Sequence, residues 1–227
     1  MREWWVAYYW DLNHVLLGSW VVWVIGSIVL HELGHGWAAI RRGDRTPIET
    51  GHITWNPLVH MGAISLVCFA LFGFTWGAMP VNPSRMRGRH AEAFVAAAGP
   101  AVNVALAAVC ILGDSLWLRF GAALGAPLHV LENVHTFLWT GAMINVMGVL
   151  FNLLPVPPLD GSRILADFFP PFDRAIHSEK GALAGLIAAA LLFSYGGKHV
   201  WQATSRVADV SIHFLTNVFG GQWMSPI

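Results

Sequence analysis

The sequence predicts an all-α fold, a polytopic transmembrane helical bundle of about four to six membrane segments, with a re-entrant or hairpin stretch after the first span. Three observations carry this. Of 227 residues, 56% are hydrophobic and only 11% charged, against about a quarter charged in an ordinary soluble domain. The apolar residues gather into runs long enough to cross a hydrocarbon core of about 30 Å. Tryptophan, which concentrates at bilayer interfaces, occurs twelve times.

The first segment begins within residues 12–30, which contain no Asp, Glu, Lys or Arg, and its apolar character resumes after the polar cluster 31–35. Counted to Ile40 it is 29 residues, about 43 Å of helix. A cleaved signal peptide is the alternative for an apolar run so near the start, but there is no basic n-region beyond Arg2 and no small-residue cleavage site before the histidines. Further apolar runs cover 62–79, 91–113 and 134–154. The run 181–195 is short for a span, and the tail 199–219, broken by Arg206 and Asp209, suits a tilted or interfacial helix. Without repeats, low-complexity tracts or a polar segment of soluble-domain size, residues 1–227 read as one membrane domain, its core at 12–167 and C-terminal helices within 180–227.

Arginines cluster at 41, 42 and 45, at 85, 87 and 89, and at 163 and 174. The positive-inside rule puts all of them on the cytoplasmic side. A single crossing by 62–79 would leave Arg85 to Arg89 outside, so that stretch is expected to enter and return. Its glycines at 62, 73 and 77, followed by Pro80 and Pro83, suit a broken hairpin shielded by protein.

Thirteen basic against thirteen acidic residues cancel, so no global field gathers nucleic acid; the expected partners are the bilayer and what lies in it. Cys68 and Cys110 fall inside apolar runs and read as small buried hydrophobes. Trp4, Trp5, Trp10 and Trp20 look like an aromatic belt, with Trp201 and Trp223 playing the same part near the C-terminus. His14 reads as interfacial, and His52, His60 and His135 as hydrogen-bonded structural groups.

The chemistry lies in His31-Glu32-Leu33-Gly34-His35, an HExxH pattern inside a helical stretch. Four residues apart, the imidazoles stack on one helix face and can share one ion, while Glu32, about 100° around the axis, reaches water beside it. Three ionisable groups in an otherwise uncharged span are costly unless a site uses them. The structural alternative has the histidines bridging helices and Glu32 pairing with an arginine. A catalytic zinc needs a third protein ligand, and Asp160, ending the segment Asn152-Leu-Leu-Pro-Val-Pro-Pro-Leu-Asp160-Gly161, is the conspicuous candidate. Read alone, its prolines equally well end a helix that Asp160 then follows with a cap.

Together, HELGH on the first span and NLLPVPPLDG after a later one resemble the site-2 protease family of intramembrane zinc metalloproteases. The runs 43–60 and 76–83 and the AGPAVN element at 98–103 are similar to segments of its compact bacterial members. Met79 departs from a frequent lysine, and His60-Met61-Gly62 lacks a commonly following acidic residue. The resemblance implies one zinc per chain on His31, His35 and Asp160, Glu32 as general base, and Asn152 and Asn103 supporting substrate backbone or the oxyanion. Between His35 and Asp160, 125 positions apart, the predicted spans leave no room for an inserted PDZ module, so substrate choice falls to the membrane domain or a regulatory membrane partner.

The predicted topology is self-consistent. With Ile40 at the cytoplasmic edge, His35 and His31 lie about 8 and 13 Å deep. Asp160 reaches that depth only if 134–154 runs outside to inside and 91–113 inside to outside, which again requires 62–79 to return. The expected activity is hydrolysis of a peptide bond within or near the transmembrane segment of a membrane-anchored protein, as in regulated intramembrane proteolysis. The expected location is a bacterial plasma membrane, with the site near the cytoplasmic side. The competing classes are a catalytically idle zinc-binding scaffold or adaptor, in which Glu32 has no task, and a metal transporter, which needs ionisable residues along a whole path.

Overall fold

The computed structural model describes residues 4–221, and among them the protein is helical with no strand. Ten α-helices follow in order: α1 (Trp5–Leu12), α2 (His14–Arg41), α3 (Thr46–Glu49), α4 (Pro57–Phe72), α5 (Ala91–Phe120), α6 (Leu128–Asn152), α7 (Asp160–Phe168), α8 (Pro170–Ile176), α9 (Glu179–Leu191) and α10 (Gly197–Val218). Three of them, α2, α5 and α6, are long and apolar enough to cross a membrane, and α4 is a shorter apolar helix. The polytopic helical bundle expected from composition is therefore present, at the lower end of the expected number of segments.

The first span opens at His14 rather than Leu12. Asn13 adopts an extended backbone and its Oδ1 accepts from the amides of Val15 (2.8 Å) and Leu16 (3.1 Å). That cap satisfies two of the four free N–H groups of a helix start, so the chain breaks there and Leu12 closes α1 instead. The 28 residues of α2 make about 42 Å of helix.

After α2 the chain turns through α3 into α4, which kinks at Gly62 (φ 69°, ψ 164°) and stops at Gly73 (φ 72°), both in conformations that favour glycine. It then runs back without regular structure over 74–82. The amide of Ala78 donates to the carbonyl of His60 (2.9 Å). Ser65 Oγ accepts from the amide of Trp76 (2.9 Å) and donates to its carbonyl (2.7 Å). The stretch 62–79 thus doubles back on itself, the hairpin that the arginine distribution suggested. His60 belongs to this hairpin: it is buried, and its Nε2 donates to the Thr54 carbonyl (2.7 Å).

The returning segment is anchored by Asp44, whose Oδ2 accepts from the Asn82 amide (2.6 Å) while Oδ1 accepts from the amide (3.0 Å) and hydroxyl (2.5 Å) of Thr46. Burial pushes this carboxyl's pKa up, but the hydrogen bonds from Asn82 and Thr46 outweigh it and hold the value below the ordinary range.

α5 and α6 are longer at their shared end than the apolar runs suggested. α5 continues past Gly113 because Asp114 is buried against His135 of α6 (2.8 and 2.9 Å), and Arg119 donates to the Phe219 carbonyl (2.7 Å). His135 is therefore bound up in the bundle rather than the HExxH cluster. The tail is a third neighbour: α10 buries Thr204, Ala208, Ile212 and Thr216, one per turn, and Asp209 accepts from the Trp139 indole (2.7 Å). Cys110 lies in the same core with Val24, Trp139 and Met143, whereas Cys68 is half-buried and unpaired by any disulfide. Trp20 and Trp201 meet at 5.4 Å, so they join α2 to α10. Trp223 falls outside the described residues.

Candidate metal centre

The registers of the three long helices build the site. His35 lies opposite Val95 and His31 opposite Asn103, so α5 runs antiparallel to α2. Asn103 meets Asn145 and Asp114 meets His135, so α6 runs antiparallel to α5. The end of α6 therefore returns to the arginine-bearing end of α2. The proline-rich turn 153–159 then delivers Asp160, first residue of α7, to the HExxH helix. α7 is held to the start of α5 by His90 on Asp167 (2.8 Å) and Arg163 on Glu92 (3.6 Å).

The result joins residues 129 positions apart. Nε2 of His31 and Nε2 of His35 are 3.0 Å apart, and Oδ2 of Asp160 lies 3.1 Å from the first and 3.3 Å from the second. All three side chains are buried. Among the described residues this is the one group of three or more His, Cys, Asp or Glu side chains whose ligand atoms converge closely enough for a metal ion.

Hydrogen bonding on the far side of each ring sets its proton. Nδ1 of His35 lies 2.8 Å from the Val95 carbonyl, which can only accept, and Nδ1 of His31 lies 2.5 Å from Oδ1 of Asn103. Both rings therefore donate from Nδ1 and turn the lone pair of Nε2 towards Asp160. Three acceptor atoms at 3.0–3.3 Å repel unless a positive charge lies among them. Zinc fits: tetrahedral bonds of about 2.0–2.1 Å separate neighbouring ligand atoms by about 3.3 Å. Room for it comes from Gly99 of α5, where a Cβ would collide with Nε2 of His35 and come within 2.5–2.6 Å of two His31 ring atoms.

Glu32 is buried on the adjoining face of α2 and faces the returning segment, where a Cβ on Gly77 would lie 2.7 Å from its Oε1. Among the described residues its carboxyl makes no hydrogen bond and no ion pair. Among the described residues the arginine partner that a purely structural glutamate needs is not there. Asn103 is buried behind His31 with its amide occupied at both ends, Oδ1 by His31 and Nδ2 by Asn145 (2.9 Å). Asn152 is the half-buried last residue of α6. Val95, Gly99 and Asn145 were not anticipated. Only Gly99 carried a hint, as a neighbour of Asn103 in the AGPAVN element.

A model of peptidase family M50 matches residues 118–195, which include Asp160 and the proline-rich turn. A Bacillus subtilis protein named "Putative zinc metalloprotease YwhC" is 30% identical over 203 residues, covering 88% of this chain and 91% of its own length. Proteins named "Putative zinc metalloprotease Rip2" are 28% identical over 169 residues in Mycolicibacterium smegmatis and 26% over 176 residues in Mycobacterium tuberculosis. In both pairs the match covers 69% of this chain and 58% of the relative. No solved structure matches the chain. With the motif order, the convergence of both motifs and a relative aligned over nearly the whole of both chains, the chain belongs to peptidase family M50, the site-2 proteases.

Proposed function

We propose that the protein is a zinc metalloendopeptidase that cuts a membrane-anchored protein within or near its transmembrane segment, the step used in regulated intramembrane proteolysis. The observation that carries this is the convergence of His31, His35 and Asp160 beside Glu32, which has no ion-pair partner among the described residues, inside a bundle of helices long enough to span a bilayer. The zinc metalloprotease names of YwhC and Rip2 support the same metal.

In this reading His31, His35 and Asp160 hold one zinc per chain, which supplies Lewis acidity towards water and the scissile carbonyl. Glu32 takes a proton from water on its carboxylate and returns it to the leaving amine. Asn152, at the mouth of the proline-rich turn, steadies the substrate backbone or the oxyanion. Asn103, with both ends of its amide engaged, orients His31 rather than the substrate. Because a membrane helix hides its carbonyls in hydrogen bonds, the substrate segment must unwind locally, and helix-breaking residues near the cut favour it. The arginines at the end of α2 and beside the hairpin support a site near the cytoplasmic face of a bacterial plasma membrane, formed by a single domain over residues 1–227.

The test is Glu32→Gln against wild type on a membrane-anchored reporter in detergent or liposomes. The account expects zinc content to be kept and cleavage to fall by about 10²–10⁴-fold. Cleavage at the wild-type rate would remove Glu32 from the chemistry, and zinc retention without cleavage in the wild type itself would favour the idle scaffold.

A further inference from the structure

We propose that Asn145 of α6 is a positioning residue for the metal centre, acting through Asn103 to fix which nitrogen of His31 carries the proton. The inference rests on the reading of His31 as a zinc ligand and adds to it a residue that touches neither metal nor substrate.

The argument is one of polarity passed along a buried chain. The Gly141 carbonyl is a backbone group and can only accept. Asn145, fully buried, donates Nδ2 to it at 2.8 Å. With its amino group so committed, Asn145 must turn Oδ1 the other way, where it accepts from Nδ2 of Asn103 at 2.9 Å. Asn103 must in turn face His31 with Oδ1, at 2.5 Å from Nδ1. His31 then donates from Nδ1 and leaves Nε2 bare towards Asp160 and His35. If the Asn103 amide were reversed, its NH₂ would face Nδ1. The imidazole would have to accept there and carry its proton on Nε2, where a metal must bind. One fixed carbonyl thus decides the ligating tautomer two side chains away.

The helix face that does this is built for it. Gly141, Asn145 and Gly148 lie at i, i+4 and i+7 on α6 and share one face. A Cβ on Gly148 would come within 3.2–3.3 Å of the Asn103 amide atoms, so glycine there leaves Asn103 its seat. His35 has no such relay, because its Nδ1 meets a backbone carbonyl directly. The two histidines of one motif therefore depend on different devices, and only His31 is sensitive to a side chain on α6.

The experiment measures zinc affinity by chelator competition on detergent-purified protein, for wild type, Asp160→Ala, Asn103→Ala, Asn145→Leu, Asn145→Asp and the double variant Asn103→Ala with Asn145→Leu. Asn145→Leu should weaken zinc binding by about 10–100-fold, the loss typical of an outer partner of a metal-bound histidine. Asn145→Asp, which as the neutral acid can still donate to the Gly141 carbonyl, keeps an acceptor facing Asn103 and should recover most of that affinity. The double variant should bind no more weakly than Asn103→Ala alone. If Asn145→Leu is not monodisperse, Asn145→Ala replaces it in the same comparison. Unchanged affinity in Asn145→Leu, equal losses in the Leu and Asp variants, or additive losses in the double variant would each overturn the relay. Wild-type zinc that is insensitive to Asp160→Ala would overturn the site itself and the relay with it; zinc lost in Asp160→Ala but untouched by Asn145→Leu would overturn the relay alone.

Discussion

Gly99→Ala adds one methyl group where the structure leaves no room. Its Cβ would collide with Nε2 of His35 and approach Nε2 and Cε1 of His31 to 2.5 and 2.6 Å, whereas Cβ atoms in proteins keep at least 3.0 Å. Each ring must therefore retreat by at least about 0.5 Å, while a metal site tolerates about 0.2 Å in its bond lengths. Neither ring can retreat freely, since His31 is bonded to Asn103 and His35 to the Val95 carbonyl. The alternative is that α5 shifts outward, at a cost of about 1–3 kcal/mol for overpacking a closed interface. The expectation is a loss of zinc affinity at least as large as the about 10–100-fold produced by removing one outer partner, together with loss of proteolysis. Zinc is measured by elemental analysis and chelator competition on the purified variant, with gel filtration to establish that it is folded. Stoichiometric zinc at wild-type affinity in folded Gly99→Ala would refute the placement of the ion between the two Nε2 atoms and α5.

Two further substitutions separate the metal centre from its scaffold. Asp44→Asn should loosen the hairpin anchor by about 1.5–3 kcal/mol at neutral pH, the range for hydrogen bonds to a charged group. Because the folded-state pKa of Asp44 lies below its unfolded value, the contribution is complete above about pH 4 and is lost as pH falls through the folded value. Melting temperatures of wild type and variant should therefore converge on acidification, and a gap that widens instead would contradict the assignment. Asp114→Ala removes the buried carboxylate that accepts from Nδ1 of His135 and should cost about 1–3 kcal/mol while leaving zinc content unchanged, since Asp114 lies about 16 Å along α5 from Asn103. Zinc loss in a folded Asp114→Ala protein would tie that pair to the metal centre.

The parts of the site that were legible in the sequence are those with short-range spacing. His31 and His35 share a face because they are four apart on one helix, and Glu32 follows from the same geometry. The return of 62–79 was legible through charge, since only a hairpin keeps both arginine clusters on one side. Asp160 needed family resemblance, because its prolines alone were equally compatible with a helix end. Asn145, Gly148 and the Val95 carbonyl left no local trace: their role exists only in the registers of α5 against α2 and α6. The C-terminal tail was harder to read for a related reason. Arg206 and Asp209 mark a poor span by composition, but Asp209 is satisfied inside the bundle by Trp139, a contact 70 residues away. Likewise Asp114 seemed to end a span and instead continues α5 against His135.

The central claim is that two motifs far apart in the chain form one zinc site. Its most direct test is the metal content of detergent-purified wild type, His35→Ala and Asp160→Ala, compared side by side. The account predicts one zinc per chain in the wild type, lost or strongly weakened in both variants. Wild-type zinc that survives Asp160→Ala undiminished would contradict it, removing the third ligand and the functional meaning of the antiparallel α2, α5 and α6 arrangement that brings Asp160 to His31.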